Sequence, residues 1–105
     1  MTTAATPPSD DDILTGLREA ITAVLDGPAL TAVDVDSLNR DTPLLSLPLD
    51  SLKLVETMTH IEDRFRVFIP EQKAFAFTTV GEVVDYVRDK TAEKAAKAAA
   101  RQESR

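Results

Sequence analysis

The chain has no cysteine and no tryptophan, one histidine and three glycines, and aromatic residues fill only 5% of its 105 positions. Without cysteine there is no disulfide framework and no thiolate metal site, and a single histidine cannot form a histidine cluster. No apolar run approaches the roughly 20 residues of a membrane span, and the opening MTTAATPPSDDD has neither the basic start nor the apolar centre of a signal peptide. These absences point to the cytoplasm and exclude membrane insertion. No nucleophile–base pair, metal-ligand spacing or phosphate-binding glycine loop is present, so the sequence offers no catalytic and no metal residues and reads as a non-enzyme.

What is present is a core's worth of aliphatic side chains. Hydrophobic residues make up 43% of the chain, nearly all Leu, Val, Ile and Ala, which suffices for one compact domain and not two. The net charge of −6 is uneven, with 15 acidic and 6 basic side chains in residues 1–87 against 3 acidic and 6 basic in residues 88–105. An acidic body repels nucleic acid and favours partners with basic faces.

Residues 1–8 carry no periodicity and read as a disordered lead-in to a domain spanning 9–90, with an Ala/Lys-rich tail, helical or disordered, over 91–105. Ser9 or Asp10 caps a first helix over about 10–26, where Ile13, Leu14, Leu17, Ile21, Val24 and Leu25 recur at helical spacing and Asp26-Gly27-Pro28 ends the run. A long connection with three prolines follows, anchored by Leu30, Val33, Val35, Leu38, Leu44, Leu45, Leu47 and Leu49, with room for a short helical turn. A second helix is predicted over 51–65, a short one over 71–76 after Pro70, and a last one over 80–90 opened by a Thr79-x-x-Glu82 capping box. The prediction is an all-α four-helix bundle of three main helices and one short helix, with a long loop between the first two and no sheet.

The segment from Asp41 to Val87 resembles the acyl carrier protein family of fatty-acid and polyketide synthesis. The resemblance rests on Asp50-Ser51-Leu52 at the start of the second helix, Glu62-Asp63-x-Phe65 near its end, Ile69-Pro70, and Thr79-Val80-Gly81 opening the last helix. It implies a four-helix acyl-carrier fold and a 4′-phosphopantetheine arm, taken from coenzyme A, on Ser51 beside Asp50 and Leu52. It further implies partner docking at Glu56, Glu62 and Asp63, and an acyl pocket drawn from Leu54, Met58, Ile61, Ile69, Ala74 and Phe77. The implied partners are a phosphopantetheinyl transferase and enzymes of acyltransferase, ketosynthase or acyl-ligase type, serving a free-standing monomer that holds acyl thioesters. The family usually has Gly where this chain has Pro48 and an acidic residue where it has Lys53, which puts recognition by particular partners in doubt.

Read from the residues alone, each position keeps a plainer alternative. Ser51 is a common N-cap type, and Asp50 could equally be the cap that leaves Ser51 free. Glu56, Glu62 and Asp63 are either a solvated face or a docking face, and the six pocket candidates are first of all core. His60, on the polar side of its helix, reads as a solvated bystander, and the tail as linker or docking element. Within the carrier class, a peptidyl carrier of nonribosomal synthesis uses the same serine and bundle. Outside that class stands a helical interaction module without a cofactor.

Overall fold

A computed structural model describes residues 8–103. The expected disordered lead-in, apart from Pro8, and residues 104 and 105 of the expected tail lie outside the described residues. Five helices follow one another: α1 (Asp10–Val24), α2 (Gly27–Thr31), α3 (Ser51–Phe65), α4 (Glu71–Ala76) and α5 (Val80–Glu103), with single 3-10 turns at Val35–Ser37 and Leu44–Ser46. Among the described residues there is no strand, only an isolated antiparallel bridge between Pro43 and Thr79.

Ser9 caps α1. Its hydroxyl accepts the Asp12 N–H at 3.1 Å while the Asp12 carboxylate accepts the Ser9 N–H at 3.2 Å, and the three aspartates of the first turn sit at the positive end of the dipole. The helix stops at Val24, two residues short of the predicted 26, because Leu25 turns extended. Gly27, with φ of +55°, and Pro28 in the first turn then start α2, a short helical turn of the kind the connection leaves room for.

The long connection is held from both sides. Leu38, Leu44 and Leu47 are buried, and Leu30, Val33, Val35 and Leu49 pack at the margin of the core. Leu45, expected as an anchor, is 97% exposed, because in the turn Leu44–Ser46 positions 44 and 47 share the inner face and 45 points away. Three backbone bonds of 2.9 Å strap this segment to the start of α5: Leu44 N–H to the Thr78 carbonyl, Val80 N–H to Thr42, and Gly81 N–H to Arg40. A Cβ at Gly81 would lie 2.9 Å from the Arg40 carbonyl oxygen, so the third of these bonds requires glycine.

Ile13, Leu17 and Ile21 of α1, Met58 and Ile61 of α3, and Val80, Val83, Val84 and Val87 of α5 form the centre of one core. Burial of each contributes roughly 1.5–3 kcal/mol. Gly16 lets α1 and α3 approach, since a Cβ there would lie 2.7 Å from the Phe65 ring. The C-cap of α3 is Arg66 at φ 59°, a left-handed position that costs a non-glycine residue about 1 kcal/mol.

At the start of α5 the Thr79 hydroxyl accepts the Glu82 N–H at 3.3 Å, as the capping box requires, but the Glu82 carboxylate turns to Thr78, accepting its N–H at 2.7 Å and its hydroxyl at 3.0 Å. The helix runs to Glu103 rather than 90. Its Ala, Lys and Glu content favours helix, the buried Thr91 donates its hydroxyl to the Val87 carbonyl at 2.9 Å, and the Lys94 ammonium donates to the Arg66 carbonyl. No helix of the described residues is long and apolar enough to cross a membrane.

A cluster of four charges ties the chain's distant parts together. Asp85 lies 2.9 Å from Arg40 and 3.1 Å from Arg88, and Asp10 lies 3.6 and 3.3 Å from the same two guanidinium groups. The Arg40 hydrogen bond holds the Asp85 carboxyl below the usual carboxylate range, and the Thr78 N–H does the same for Glu82. Both groups therefore bind fewer protons folded than unfolded. Their contribution is complete above the ordinary carboxylate pKa of about 4 and is lost as pH falls through the depressed values.

Two outcomes follow. Gly81→Ala should lower stability by about 1–3 kcal/mol, read from urea midpoints, because the Arg40 carbonyl must move; an unchanged midpoint would show that the strap is slack. In acid titrations of stability, the pair Asp85→Asn with Glu82→Gln should flatten the fall below pH of about 4 without altering the slope between neutrality and pH of about 5. A fall as steep as that of the unaltered protein would contradict the assigned Asp85–Arg40 pair and the Thr78–Glu82 hydrogen bonds.

Candidate functional site

Ser51 is the first residue of α3 and is exposed. Asp50, not Ser51, caps the helix: its Oδ1 accepts the Lys53 N–H at 2.8 Å, and its carbonyl accepts the first helical bond from Leu54 at 2.8 Å. The Ser51 hydroxyl is thereby left out of capping. Of the first-turn donors, Lys53 N–H is taken by Asp50, which leaves the N–H groups of Ser51 and Leu52 as the orphan donors of this helix end. An anion esterified to Ser51 would meet those two N–H groups and the positive end of the α3 dipole.

Two leucines of this part of the chain lie open to solvent. Leu52 is 66% exposed and Leu45 is fully out in solvent. Lys53 points away from this surface. Its ammonium donates to the Val24 carbonyl at 3.3 Å, the last carbonyl of α1, a helix with no basic residue in its own last turn. The cation thus supplies from α3 the charge that the negative end of the α1 dipole lacks. Beneath it the Thr57 side chain is buried, with its hydroxyl on the Lys53 carbonyl at 2.8 Å.

The three acidic candidates differ in what they do. Glu56 and Asp63 are exposed, as is His60. Glu62 is half-buried, and its carboxylate accepts the Ile69 N–H at 2.7 Å, so it fixes the linker between α3 and α4. Arg64, on the same helix, pairs with Glu19 of α1. Of the six pocket candidates, Met58, Ile61, Ile69, Ala74 and Phe77 are buried together in the main core, and Leu54 packs on it from the margin. Tyr86 closes this side, edge-on to Phe77 at 5.7 Å and with its hydroxyl on the Phe68 carbonyl at 3.0 Å. Among the described residues no group of three His, Cys, Asp or Glu could hold a metal ion.

Lys53 as the partner of α1, Glu62 as the linker's acceptor and Tyr86 as its clamp are roles that sequence reading missed. The bonds of Lys53 and Tyr86 join residues 29 and 18 positions apart, and that of Glu62 crosses the turn after α3, so periodicity carries no trace of them.

The family model described as "Phosphopantetheine attachment site" matches residues 29–87. The acyl carrier protein of Acidothermus cellulolyticus is 36% identical over 83 residues, covering 79% of this chain and 93% of that one. The meromycolate extension acyl carrier protein of Mycobacterium tuberculosis is 29% identical over 83 residues, 78% of this chain and 67% of that one. A non-reducing polyketide synthase of Didymella fabae is 35% identical over 60 residues, 57% of this chain and 2% of that one. No solved structure matches significantly.

Two substitutions test how α3 is seated. Asp50→Ala should cost about 1 kcal/mol of stability and Asp50→Asn much less, because asparagine keeps the cap. Lys53→Met, which keeps the stem and removes the ammonium, should cost about 0.5–1 kcal/mol, and Lys53→Glu more. Equal midpoints for Lys53→Met and Lys53→Glu would show that the lysine does not serve the α1 terminus.

Proposed function

Because this chain belongs to the acyl carrier protein family, as the match over residues 29–87 and the relative 36% identical over most of both chains show, we propose that Ser51 is its point of phosphopantetheine attachment. The family is non-catalytic. When bound, the arm supplies a thiol on which acyl groups are held as thioesters, and the carrier supplies position and recognition.

The observation that carries the assignment is the division of labour at the α3 N-terminus: Asp50 caps, and Ser51 stands exposed beside two orphan N–H groups. On loading, a bond forms between Ser51 Oγ and phosphorus, the hydroxyl proton is lost, and the nucleotide half of coenzyme A leaves. The orphan donors and the dipole favour the resulting phosphodiester, while Leu52 offers apolar contact to an approaching enzyme. Residues 50–66 carry a net charge of only −1 with His60 neutral, so docking at Glu56, Glu62 and Asp63 is shared with Leu52 and depends only mildly on salt. Glu62, committed to Ile69, contributes least to that surface.

The buried set of Met58, Ile61, Ile69, Ala74 and Phe77 is the proposed lining that an acyl chain would part. The cargo is an acyl group of fatty-acid, polyketide or mycolate type. The partners are a phosphopantetheinyl transferase and the acyltransferase, ketosynthase or ligase that fill and draw on the arm, in the cytoplasm. The relatives support this over a peptidyl carrier, since they are acyl carriers and a polyketide synthase by name.

Incubation with coenzyme A and a broad-specificity transferase should add one phosphopantetheine, seen by intact mass, and Ser51→Ala should add none. Charge reversal at Glu56 or Asp63 should slow loading with helix content unchanged. An unaltered mass would overturn the assignment and favour the cofactor-free module, and loading that survives Ser51→Ala would place the attachment on another residue.

A further inference from the structure

Between two stretches of the long connection, residues 32–38 and 42–48, lies a groove of about 380 Å³. Its buried lining is apolar, since Leu38 and Leu47 belong to the main core and the half-buried Val33 packs against it. The rest of its lining carries hydroxyls, from Ser37, Thr42 and Ser46. Asp34 is the one charge among the lining residues, and no cation or aromatic ring is among them, so a phosphate, a carboxylate or a nucleobase finds no partner there. The groove suits a neutral chain that carries both apolar and hydrogen-bonding groups.

The hydroxyls have capacity to spare. Ser37 donates to the Asp34 carbonyl at 2.8 Å and Ser46 to the Pro43 carbonyl at 2.6 Å, which leaves each oxygen able to accept. Thr42 accepts the Asn39 N–H at 3.0 Å, and its own proton has no acceptor among the described residues. Both walls are fixed before anything binds. The Arg18 guanidinium donates to the Leu38 carbonyl at 2.9 Å on one side, and on the other Leu44 and Thr42 are strapped to the start of α5. A ligand seated here therefore has little loop ordering to offset.

Position identifies the occupant. Pro48 lines the groove three residues before Ser51, so their Cα atoms are at most about 11 Å apart, and the bond from the Leu49 N–H to the Leu47 carbonyl at 2.8 Å turns the chain between them. An extended pantetheine arm is longer than that span. Resting on the attachment proposed above, we propose that this groove is the seat of the unacylated arm. Ser37 and Ser46 accept from its amide N–H groups, Thr42 donates to one of its oxygens, and Val33, Leu38 and Leu47 meet its geminal methyls. The lining proposed for the acyl chain cannot serve the arm in the same way, because Met58, Ile61, Ile69, Ala74 and Phe77 offer its amides no side-chain partner, and an amide buried unpaired is costly. The groove thus holds the polar arm, and the core receives the apolar cargo.

The test uses the full chain, isotope-labelled, loaded with unlabelled coenzyme A by a transferase and checked by intact mass. Isotope-filtered NMR should show contacts from the arm's geminal methyls to the methyls of Val33, Leu38 or Leu47. Amides of residues 32–38 and 42–48 should shift on loading, by less than those of Ser51 and Leu52. Ala32→Phe, which brings a ring into the groove from an exposed lining position, should abolish these contacts while the mass gain and helix content are retained. Ser37→Ala with Ser46→Ala keeps the space but removes the acceptors, and should weaken the contacts about threefold. An unchanged mass would sink the attachment and this seat together, whereas a loaded chain without groove contacts sinks the seat alone. Contacts confined to Met58 or Phe77, contacts that persist in Ala32→Phe, or contacts indifferent to the loss of both hydroxyls would equally contradict it.

Discussion

At one end of the seam between α1 and α3 the Phe65 ring lies where a side chain on Gly16 would be, and at the other the Lys53 ammonium reaches the Val24 carbonyl. These two contacts define an antiparallel pair, and everything the site requires follows from it. With Ser51 as the proposed attachment point, the start of α3 has to be at the surface, yet the rest of the helix must be buried enough to hold that start in place. Met58 and Ile61 meet the second requirement, while Asp50 and Lys53 finish the exposed end without using Ser51. Lys53 stands where the family usually has an acidic residue. Here its charge goes to the terminus of the neighbouring helix, so the face proposed for docking gains little positive charge from it.

The acidic composition conceals a division of charge by place. Many carboxylates are used inside the molecule: Asp10 and Asp85 with Arg40 and Arg88, Glu19 with Arg64, Glu62 with a backbone N–H, Glu82 with Thr78. Exposed pairs of this kind contribute little singly, but the four-charge cluster joins α1, the long connection and α5 at one point. With these carboxylates committed, the exposed acidic charge of α3 itself rests on Glu56 and Asp63.

Helices α3 and α4 were legible to the residue, because apolar side chains three and four apart and a proline just ahead of α4 leave little freedom. The serine proposed for attachment is marked in the sequence by four short motifs, not by its own chemistry. What the sequence hid was set by contacts between distant residues. Gly27-Pro28 reads as a stop and is also a start; Leu45 reads as an anchor and faces outward because the 3-10 turn turns it there; α5 outruns its apolar stripe because Thr91 and Lys94 hold it to the body. The roles of Lys53 and Tyr86 depend on which helix end lies next to which, and that is fixed only once the bundle has closed.

The central claim is that Ser51 holds a phosphodiester against the free N–H groups of the α3 N-terminus. Amide NMR spectra of the protein before and after loading with phosphopantetheine test it most directly. The account expects the largest displacements at the Ser51 and Leu52 amides, with those of Gly16 and Phe65 in the seam unmoved. A loaded protein whose Ser51 and Leu52 amides stay in place, or whose changes spread over α1 instead, would contradict it.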